Sequence, residues 1–531
     1  MHSEVENLPD DIQELKGIIS SFAEENHRYA EDIQRYEKEN KLLREQLLLM
    51  RSKLYGRKTE KLEPAEGIIQ EILFDEPAEE VPEESEEEPL IEVPAHTRKK
   101  SGRKPLPADL PRIEVIHDLS EEEKVCGCGR CMDCIGKETS EQLDIVPAKM
   151  QVIVHVRLKY ACRACEGADS EGPAVKIAPV PEQIIPKSIA TPGLLAHIFT
   201  AKFVDAVPFY RQEKQFKRLG VELNRTSMSF WAMKVDQQCG PIMDMLHTEL
   251  LSGPLINMDE TTVQVLGEQD RANHTKSYMW VVRGGPPGEQ VLMYQYHPTR
   301  SGEVAKAYLK GYKGYVQTDG YAGYNFLDEQ TGVVHVGCWA HARRMFMEVI
   351  KAQGKNRKAG SADVALDYIR KLYAIEKEAR AQELGPEDLY QLRQEKSKPV
   401  LNEFKAWLDK KELQTPSKGL LGTAVAYTLG QWDRLVRYID SGILTPDNNL
   451  AENAIRPFVV GRKNWLFSGN PEGAHASATL YSLIETAEAN GLEPYLYLKY
   501  LFARLPFSYT AEEYKALMPQ SLSMATLASI E

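Results

Sequence analysis

The sequence predicts a multidomain α+β protein, with an N-terminal coiled coil, a small cysteine-bearing ribbon, a helical region and a mixed α/β core. Three observations lead to this prediction. Apolar residues recur every seven positions over residues 11–57, six cysteines lie between Cys126 and Cys165, and five strand-like segments follow Leu255. A chain of 531 residues is long enough for several domains.

The acidic charge of the chain is concentrated in one segment. The formal net charge is −13, and residues 63–92 alone carry thirteen acidic and no basic side chains. The rest of the chain is therefore balanced and can form local basic surfaces. The N-terminus is polar and no apolar run is long enough to span a bilayer, so we expect a cytoplasmic protein without a membrane partner.

Residues 1–62 are predicted to form a coiled-coil dimerisation helix, a leucine zipper. Two seam positions repeat every seven residues, one occupied by Ile12, Ile19, Asn26, Ile33, Asn40, Leu47 and Leu54, the other by Leu15, Phe22, Tyr29, Tyr36, Leu43 and Met50. Asparagine in such a seam lowers stability but fixes the register and favours two strands. We therefore expect a homodimer. The alternative is a helix packed on the protein's own core, which would not need the asparagines.

Residues 63–110 are predicted to be an acidic linker followed by a basic arm. The linker is rich in Glu and Pro and has few apolar groups to bury, which favours a solvated spacer. The arm is HTRKKSGRKPLP (96–107). Extended Gly-Arg-Lys-Pro resembles an arm that enters the DNA minor groove, so Arg103 and Lys104 are candidate DNA contacts. A basic tail without a partner is the alternative.

Residues 111–180 are predicted to form a zinc-binding ribbon. Cys162 and Cys165 are two residues apart, a gap that lets both thiolates reach one tetrahedral Zn²⁺. Cys128 and Cys131 have the matching gap, although Cys126 and Cys134 are also available. Alternation in MQVIVHVRLKY (150–160) predicts a strand between the pairs. A shell filled by cysteines leaves no open position, so this zinc would be structural.

Residues 181–250 are predicted to form a helical DNA-binding domain. Two amphipathic segments end at a turn at Gly220, and a further helix follows with Asn224 or Thr226 as its cap. This order is compatible with a helix-turn-helix, whose second helix enters the major groove. The candidate phosphate contacts on these segments are Arg211, Lys214, Lys217 and Arg225.

Residues 251–354 are predicted to contain the first part of the α/β core. LINMDETTVQV (255–265), SYMWVVRG (277–284) and QVLMYQYHP (290–298) have strand patterns and are joined by short turns. GYVQTDGYAGY predicts a fourth strand that ends at Asp319, and VVHVGCWAHARRMF a fifth that passes into a helix. Three antiparallel strands followed by a strand–helix alternation is the order of an RNase H-like sheet. Asp259 lies inside an apolar strand, where an unpaired acid is costly, so a functional role is favoured over a turn.

The stretch Asp447–Gly469, DNNLAENAIRPFVVGRKNWLFSG, combines amides, a carboxylate and cations. Asp447, Asn448 and Asn449 are typical of a helix start, because their side chains accept from first-turn N–H groups. We expect a short helix that ends at Pro457 and carries Glu452, followed by a loop with Arg462, Lys463 and Trp465.

Three further segments complete the chain. A helical, charge-rich stretch at 355–440 is predicted to be an insertion into the core. The core resumes over 441–484 with Glu452, and 485–531 is predicted to be a C-terminal helical segment.

Several of these blocks resemble the insertion-sequence-66 family of DDE transposases. They are MDET, TDGYAGY, GCWAHARR and DNNLAENAIRPFVVGRKNWLFSG, together with SGRKPLPADLPR, the SEQLDIVPAKMQV ribbon and ETAEANGLEPYLYL. They occur in the family's order and span nearly the whole chain.

The resemblance implies that Asp259, Asp319 and Glu452 are the catalytic carboxylates and hold two Mg²⁺ or Mn²⁺ ions. Hard divalent ions take oxygen ligands and keep open positions for water and phosphate. His341 is either a helper beside these ions or a satisfied core histidine. The candidate DNA-phosphate contacts near the carboxylates are Arg343, Arg344, Arg456, Arg462 and Lys463.

The implied function is that of a DNA transposase, in a bacterial, nucleoid-associated setting. Such an enzyme binds the terminal inverted repeats of its element, cleaves the DNA and joins the freed 3′-OH to target DNA. Whether accessory proteins of the same element are needed is left open. Two other hypotheses are a catalytically silent DNA-binding regulator derived from a transposase and a plain RNase H-like nuclease. The intact carboxylates argue against the first, and the zipper, ribbon and DNA-binding modules against the second.

Overall fold

The structure is a computed structural model that describes residues 12–55, 150–161, 175–353 and 357–528. The chain divides into two compact units, one formed by residues 1–75 with 157–531 and the other by residues 76–156. Of the second unit only residues 150–156 are described, and they form neither helix nor strand. Among the described helices, none has the length and apolar character needed to span a membrane.

The N-terminal helix α1 spans Ile12–Tyr55, as the heptad pattern predicts. Most of its described seam side chains are exposed in the single chain, with Ile19 at 66%, Ile33 at 57% and Leu47 at 67%. A different face carries the less exposed Leu42 and Glu45, which lie beside Gly419 of the insertion. The contact with the protein's own body therefore leaves most of the described seam exposed.

The strand predicted over residues 150–160 is mostly wrong. Strand β1 covers only Lys159–Ala161 and pairs antiparallel with β2, Val175–Ile177. Val152, Val154 and Val156 are exposed, at 77–88%. Alternating residues form a strand only where a partner satisfies the backbone and a core covers one face. Before Lys159 the described residues supply one backbone hydrogen bond, from Ala178 N to the carbonyl of Leu158 at 3.1 Å, and leave the valines exposed.

Three helices precede the main sheet: α2 at Pro192–Phe203, α3 at Phe209–Arg218 and α4 at Arg225–Ser252. The turn between α3 and α4 contains Gly220 at φ +83°, a conformation that favours glycine. Asn224 caps α4, because its Oδ1 accepts the N–H of Ser227 at 2.8 Å. The predicted glycine turn and the first of the two predicted caps are confirmed.

The central sheet follows the predicted strand order. Its strands are β3 Leu255–Val265, β4 Lys276–Gly284, β5 Val291–His297, β6 Gly314–Gln317 and β7 Val333–Val336. Helix α5, Gly302–Tyr308, lies between β5 and β6 in the chain, and helix α6, Trp339–Gln353, follows β7. The strands lie in the order β5-β4-β3-β6-β7. β3, β4 and β5 are antiparallel, whereas β6 is parallel to both β3 and β7. The sheet is therefore mixed, with β3 at its centre.

The helices of the predicted insertion pack on α6. They are α7 Ser361–Ala381, α8 Pro386–Leu392, α9 Lys398–Gln414, α10 Leu420–Gly430 and α11 Trp432–Val436, with a π-helical turn at Arg393–Ser397 between α8 and α9. Trp339 of α6, Phe404 and Trp432 have ring centroids 5.9–6.0 Å apart. The insertion and α6 therefore share one apolar core.

Helix α12 spans Asn449–Trp465 and passes through Pro457, so the expected short helix is a wrong prediction. Arg462, Lys463 and Trp465 lie in its last turns and not in a loop. A proline removes only one intrahelical hydrogen bond, and Ala454, Ile455, Phe458 and Gly461 bury one face of the helix. This tertiary burial outweighs the local break. The two-residue strand β8, Phe467–Ser468, then pairs with the far end of β3.

The chain ends in α13 Pro471–Ala489, α14 Pro494–Arg504, α15 Ala511–Lys515 and α16 Met524–Ala528. Helix α13 spans both sides of the boundary placed at 485 from the sequence. It covers the edge strand β5, where Ser482 accepts from Tyr294 N at 2.8 Å and Thr486 accepts from Leu292 N at 3.1 Å. Asn490 donates to the carbonyl of Gln290 at 2.7 Å.

Candidate active site

Asp259 and Asp319 come from neighbouring parallel strands at the centre of the sheet. β3 and β6 pair with Asn257 opposite Gln317, and each aspartate lies two residues beyond that pair. The two carboxylates therefore reach the same end of the sheet. Asp259 Oδ1 accepts the N–H of Glu260 at 2.8 Å, and Asp319 Oδ1 accepts the N–H of Tyr321 at 2.9 Å. The local backbone thus orients both side chains.

A buried amide network joins these strands to the helix that carries Glu452. Asn257 Nδ2 donates to Asn448 Oδ1 at 3.1 Å, and Asn448 Nδ2 donates to the carbonyl of Met258 at 2.8 Å. Met258 precedes Asp259, and Asn448 precedes the first residue of α12. The network therefore fixes the start of α12 against β3.

The structure corrects the predicted capping roles at this helix start. The side chain of Asn448 makes no cap hydrogen bond, since it is 1% exposed and its amide is used in the buried network. Asp447 Oδ1 accepts the N–H of Asn449 at 3.2 Å instead, and its Oδ2 accepts from Tyr373 at 2.9 Å. Asn449 is the first helical residue.

Glu452 lies in the first turn of α12 and faces α6. His341 Nδ1 is 3.7 Å from Glu452 Oε1, and Arg344 Nη2 is 3.6 Å from Glu452 Oε2. Glu452 Oε1 and His341 Nδ1 are both buried and have no hydrogen-bond partner among the described residues. Burial and the charge of Arg344 lower the pKa of His341, which favours a neutral imidazole. Two neighbouring atoms with unused lone pairs are suited to a bound cation.

The neighbouring carboxylates lie close enough to Asp259 for their charges to affect its pKa. Burial first, and then the charges of Glu260, Asp319 and Glu452, raise the pKa of Asp259 to about 8. Burial also raises the pKa of Glu260. A divalent cation relieves such repulsion. The oxygen donors of Asp259, Asp319 and Glu452 fit Mg²⁺ or Mn²⁺, because hard ions prefer oxygen ligands.

Cys338, His341 and Glu452 form a second potential ligand group, with ligand atoms all within 4.8 Å of one another. This mixture of sulfur, nitrogen and oxygen is typical of zinc sites. Cys338 Sγ already accepts the N–H of Asn448 at 3.2 Å, and burial raises the pKa of the thiol to about 12. The thiol is therefore engaged in holding the start of α12, whereas His341 and Glu452 have unused acceptor atoms.

Sequence reasoning missed three residues beside the aspartates: Glu260, Arg300 and Tyr324. The Glu260 side chain is 1% exposed and accepts hydrogen bonds from Arg300 and Tyr324. Arg300 Nη2 lies 3.9 Å from Asp319 Oδ2. The only sequence signal was a second acid next to Asp259. Arg300 is 40 residues away in a loop without a pattern.

The basic residues predicted near the carboxylates lie on α6 and α12. Arg344, Arg456 and Lys463 are exposed, and Arg343 is half-buried. Arg462 Nη1 donates to Thr261 Oγ1 at 3.2 Å and to Thr262 Oγ1 at 3.4 Å, so this side chain lies along β3.

The basic residues predicted in the helical region lie on α3 and at the start of α4. Arg211, Lys214, Lys217 and Arg225 are all exposed. Lys214 and Arg225 approach the ring of Tyr210, with distances of 4.5 Å and 5.9 Å to its centroid. The remaining candidates lie outside the described residues: Arg103, Lys104, Cys128, Cys131, Cys162 and Cys165.

Comparison with known proteins decides the family. A model of the Transposase IS66 family matches residues 187–476, more than half of the chain and all three carboxylates. The chain belongs to the IS66 family of transposases. Such a DDE transposase domain implies phosphoryl-transfer chemistry on DNA.

Three further IS66 models match the chain. The zinc-finger binding domain of transposase IS66 matches residues 123–166, a range that contains all four predicted zinc ligands. The IS66 C-terminal element matches residues 482–520. A leucine-zipper model, described as transposase C of IS166 homeodomain, matches residues 42–115 and overlaps the end of α1.

The curated relatives of this IS66 member carry no functional description. The uncharacterized protein y4jD of Sinorhizobium fredii (strain NBRC 101917 / NGR234) is 33% identical over 427 residues, which cover 78% of this chain and 81% of the relative. The uncharacterized protein y4qI of the same organism is 30% identical over 550 residues, which cover 97% of this chain and 98% of the relative. No solved structure gives a significant match.

Proposed function

We propose that this IS66 family member is a Mg²⁺- or Mn²⁺-dependent DNA transposase. It binds the terminal inverted repeats of its element, cleaves the DNA and joins the freed 3′-OH to target DNA. The observation that carries this proposal is the convergence of Asp259, Asp319 and Glu452, from β3, from the end of β6 and from α12. The order of the strands supports an RNase H-like core.

The residues of the site have separate roles in this proposal. Asp259, Asp319 and Glu452 would hold two divalent ions, which when bound activate the attacking oxygen and stabilise the leaving oxygen of the phosphoryl transfer. Arg344 and His341 approach the two oxygens of Glu452 and limit how its carboxylate turns. The same site serves both cleavage, with water as nucleophile, and joining, with the 3′-OH.

Double-stranded DNA is the proposed partner, and it needs basic surface near the carboxylates. Arg344, Arg456 and Lys463 are exposed on α6 and α12 and are suited to phosphate contact. Arg343 and Arg462 are more enclosed and stay secondary candidates. Arg211, Lys217 and Arg225 would contact DNA from the helical region, and Arg103 and Lys104 from the arm. A DNA substrate agrees with the expected location in the bacterial cytoplasm, at the nucleoid.

A structural Zn²⁺ held by Cys128, Cys131, Cys162 and Cys165 completes the proposal. The matched zinc-finger range supports the zinc, and the matching two-residue gaps support this choice among the six cysteines. Metal analysis of the purified protein and of its Cys162→Ser variant tests it. We expect one zinc per chain in the first and its loss in the second; an unchanged zinc content would remove Cys162 from the site.

Strand cleavage and transfer test the catalytic proposal. We expect Asp259→Asn and Glu452→Gln to lower the rate in Mg²⁺ by more than the roughly 10- to 100-fold typical of losing an outer-shell partner of a metal ligand. Binding to DNA that carries the terminal repeat should be unchanged. Glu303→Gln is the matched control, because that side chain is 81% exposed on α5.

Two outcomes would contradict the proposal in different ways. Retained activity of Asp259→Asn and Glu452→Gln would remove these residues from the metal site. Tight binding to the repeat by the unaltered protein without any cleavage in Mg²⁺ or Mn²⁺ would instead favour the catalytically silent regulator.

A further inference from the structure

Arg300 lies beside the aspartates but outside the sequence blocks from which the site was predicted. It belongs to the loop between β5 and α5, and its guanidinium Nη2 is 3.9 Å from Asp319 Oδ2. The side chain is 36% exposed, so it meets both the carboxylates and solvent. A half-exposed cation at the edge of a phosphoryl-transfer site is placed to meet the substrate.

The guanidinium is held in place from two sides. Glu260 accepts from Nε and forms an ion pair with Nη2. The ring of Tyr321 lies under the guanidinium, 3.7 Å from its centroid to Cζ. Tyr321 Oη also donates to the main-chain carbonyl of Arg300 at 2.7 Å. The group is therefore immobilised before any ligand arrives, which lowers the entropy cost of binding one.

The loop that carries Arg300 is itself fixed against the loop that carries Asp319. A Cβ atom at Gly302 would lie 2.2 Å from the carbonyl oxygen of Gly323. Only glycine permits this close approach of the two backbones. The separation between Arg300 and Asp319 is thus set by the fold and not by a flexible surface loop.

Burying the carboxylate of Glu260 costs free energy, which is easiest to explain if the protein needs Arg300 at a fixed position. Its side chain is 1% exposed, and a buried ion pair is often no more stable than an apolar pair of the same shape. A cation close to a site for divalent ions would, however, be repelled without a compensating acid. Glu260 supplies that acid from the residue next to Asp259.

The free part of the guanidinium is suited to a phosphate. Nη1 of Arg300 has no hydrogen-bond acceptor in the described part of the chain, while Nε and Nη2 are engaged by Glu260. The planar guanidinium offers further N–H donors whose geometry matches phosphate oxygens. Among the site's cations, Arg344 instead approaches Glu452.

We propose that Arg300 is a catalytic residue that contacts a non-bridging oxygen of a DNA phosphate at or next to the scissile position, and that Glu260 is the positioning residue that holds it there. This inference rests on the proposed transposase function. The contact would orient the phosphodiester beside Asp319 and stabilise the negative charge that develops in the transfer.

Single methylphosphonates test the contact, because each one removes the charge of a single DNA phosphate. The probe is a duplex that ends in the element's inverted repeat, with one substitution at a time at the three phosphates around the cleavage site. At one position we expect a large rate penalty for the unaltered protein but a much smaller one for Arg300→Ala. On unmodified DNA, Arg300→Ala should be slower by roughly 10²-fold, as for loss of one preorganised donor.

Three variants separate this role from a structural one. Arg300→Lys keeps a charge but loses the fork, and it should recover only part of the rate. Glu260→Gln should slow the reaction and shrink the same methylphosphonate penalty. Arg357→Ala is the matched control, since Arg357 is also a largely enclosed arginine paired with an acid, Asp363 at 2.7 Å, but lies beside α7 in the insertion. It should leave the penalty unchanged.

The outcomes distinguish this inference from the function on which it rests. An unaltered protein that neither cleaves nor joins DNA would overturn the proposed function. If the unaltered protein is active and shows the same methylphosphonate penalties as Arg300→Ala and Arg300→Lys at every position, the proposed role of Arg300 is wrong. The proposed transposase function would not be affected by that result. If Arg300→Ala does not fold, the comparison with Arg300→Lys decides.

Discussion

Asn448 illustrates what a single buried amide does in this protein. The sequence predicted a helix cap, because Asn is favoured at helix starts. In the structure its amide accepts from Asn257 and donates to the carbonyl of Met258. The residue therefore links the helix of Glu452 to the strand of Asp259, which a local pattern cannot indicate.

Replacing Asn448 with Asp distinguishes the two roles. Asp is as good a cap as Asn, so a capping role predicts almost no loss of stability. The buried network instead predicts a loss of about 1–3 kcal/mol or more, because a buried carboxylate cannot donate to Met258 and leaves that carbonyl unpaired. Urea denaturation measures the difference, and a change below about 0.5 kcal/mol would favour the cap.

Glu485 predicts a pH dependence of stability. It is 9% exposed on α13, and burial, followed by the charge of Glu488, raises its pKa from 4.5 to about 8. An acid with a raised pKa in the folded state contributes its full stability below about 4.5 and loses it as the pH rises towards about 8. The unaltered protein should therefore lose stability across this range through Glu485.

The variant Glu485→Gln should lack this component. The difference in the free energy of unfolding, variant minus unaltered protein, should increase by up to a few kcal/mol between about pH 4.5 and 8. Above about pH 8 this difference should stay constant. Denaturation curves at a series of pH values measure it, with the exposed Glu472→Gln on the same helix as control. Parallel pH profiles for both proteins would show that Glu485 is not the titrating group.

The three carboxylates could be predicted from the sequence, whereas their neighbours could not. Asp259 was found because an acid inside an apolar strand is unusual, and Asp319 and Glu452 because they lie in blocks that resemble a known family. Glu260 and Arg300 were missed because their pairing joins a strand to a distant loop. Such a contact exists only after the chain has folded, so no local sequence pattern marks either Glu260 or Arg300 as a site residue.

Among the elements, α12 shows why a helix breaker can fail to break a helix. Pro457 predicted the end of the helix, but the apolar side chains on both sides of it are buried on the sheet. A local rule gave way to packing, which supplies most helix stability in proteins. The correction moves Arg462 and Lys463 onto the same rigid element as Glu452.

The π-helical turn between α8 and α9 places Arg393 inside the protein, where it holds the segment leading to α12. Arg393 is 1% exposed and binds Glu376 through Nε at 2.8 Å and Nη2 at 2.7 Å. It also donates to the carbonyls of Tyr438, Ser441 and Leu444 at 2.8–2.9 Å. The insertion thus fixes the chain shortly before Asn448.

Arg393→Met should destabilise the protein by about 3–5 kcal/mol, because it leaves the buried charge of Glu376 uncompensated. The double variant Arg393→Met with Glu376→Leu should recover part of that loss but not all, since three carbonyls still lack their donor. Chemical denaturation gives both values. A loss of less than about 1 kcal/mol for the single variant would show that the pair contributes little.

For the whole molecule, the exposed seam of α1 predicts a dimer. Ile19, Ile33 and Leu47 expose apolar surface to solvent in the single chain, which is unfavourable. A second copy of α1 would bury these side chains. Ile19→Asp with Ile33→Asp should convert a dimer into a monomer in sedimentation equilibrium. Gln34→Asp, at an exposed position next to the seam, is the control.

The seam asparagines give a second test of this prediction. Asn26→Val with Asn40→Val should raise the stability of the assembly and loosen its choice of two strands. A monomeric unaltered protein at micromolar concentration would exclude the zipper. If the double valine variant keeps the same oligomeric state and stability, the asparagines do not have the role assigned to them.

The general plan of the core could be predicted because each strand has a clear local pattern and short turns join the first three. The sharing of one apolar core between the insertion and α6 could not. Trp339 and Phe404 are both simply apolar in the sequence, and only the fold shows that they face each other. The expected strand at 150–160 failed for the opposite reason, since its pattern was good but the described part of the chain gives it no backbone partner before Leu158.

Helix α13 packs along the edge strand β5, and this packing restricts how copies of this IS66 family member can assemble. The outer N–H and C=O groups of an edge strand are a template on which another chain can add a strand. Here Ser482, Thr486 and Asn490 already occupy those groups at Tyr294, Leu292 and Gln290. Two copies of the chain therefore cannot extend one another's sheets through this part of β5. Partial unfolding of α13 would expose these groups as a template for strand addition, so α13 also protects the protein from aggregation.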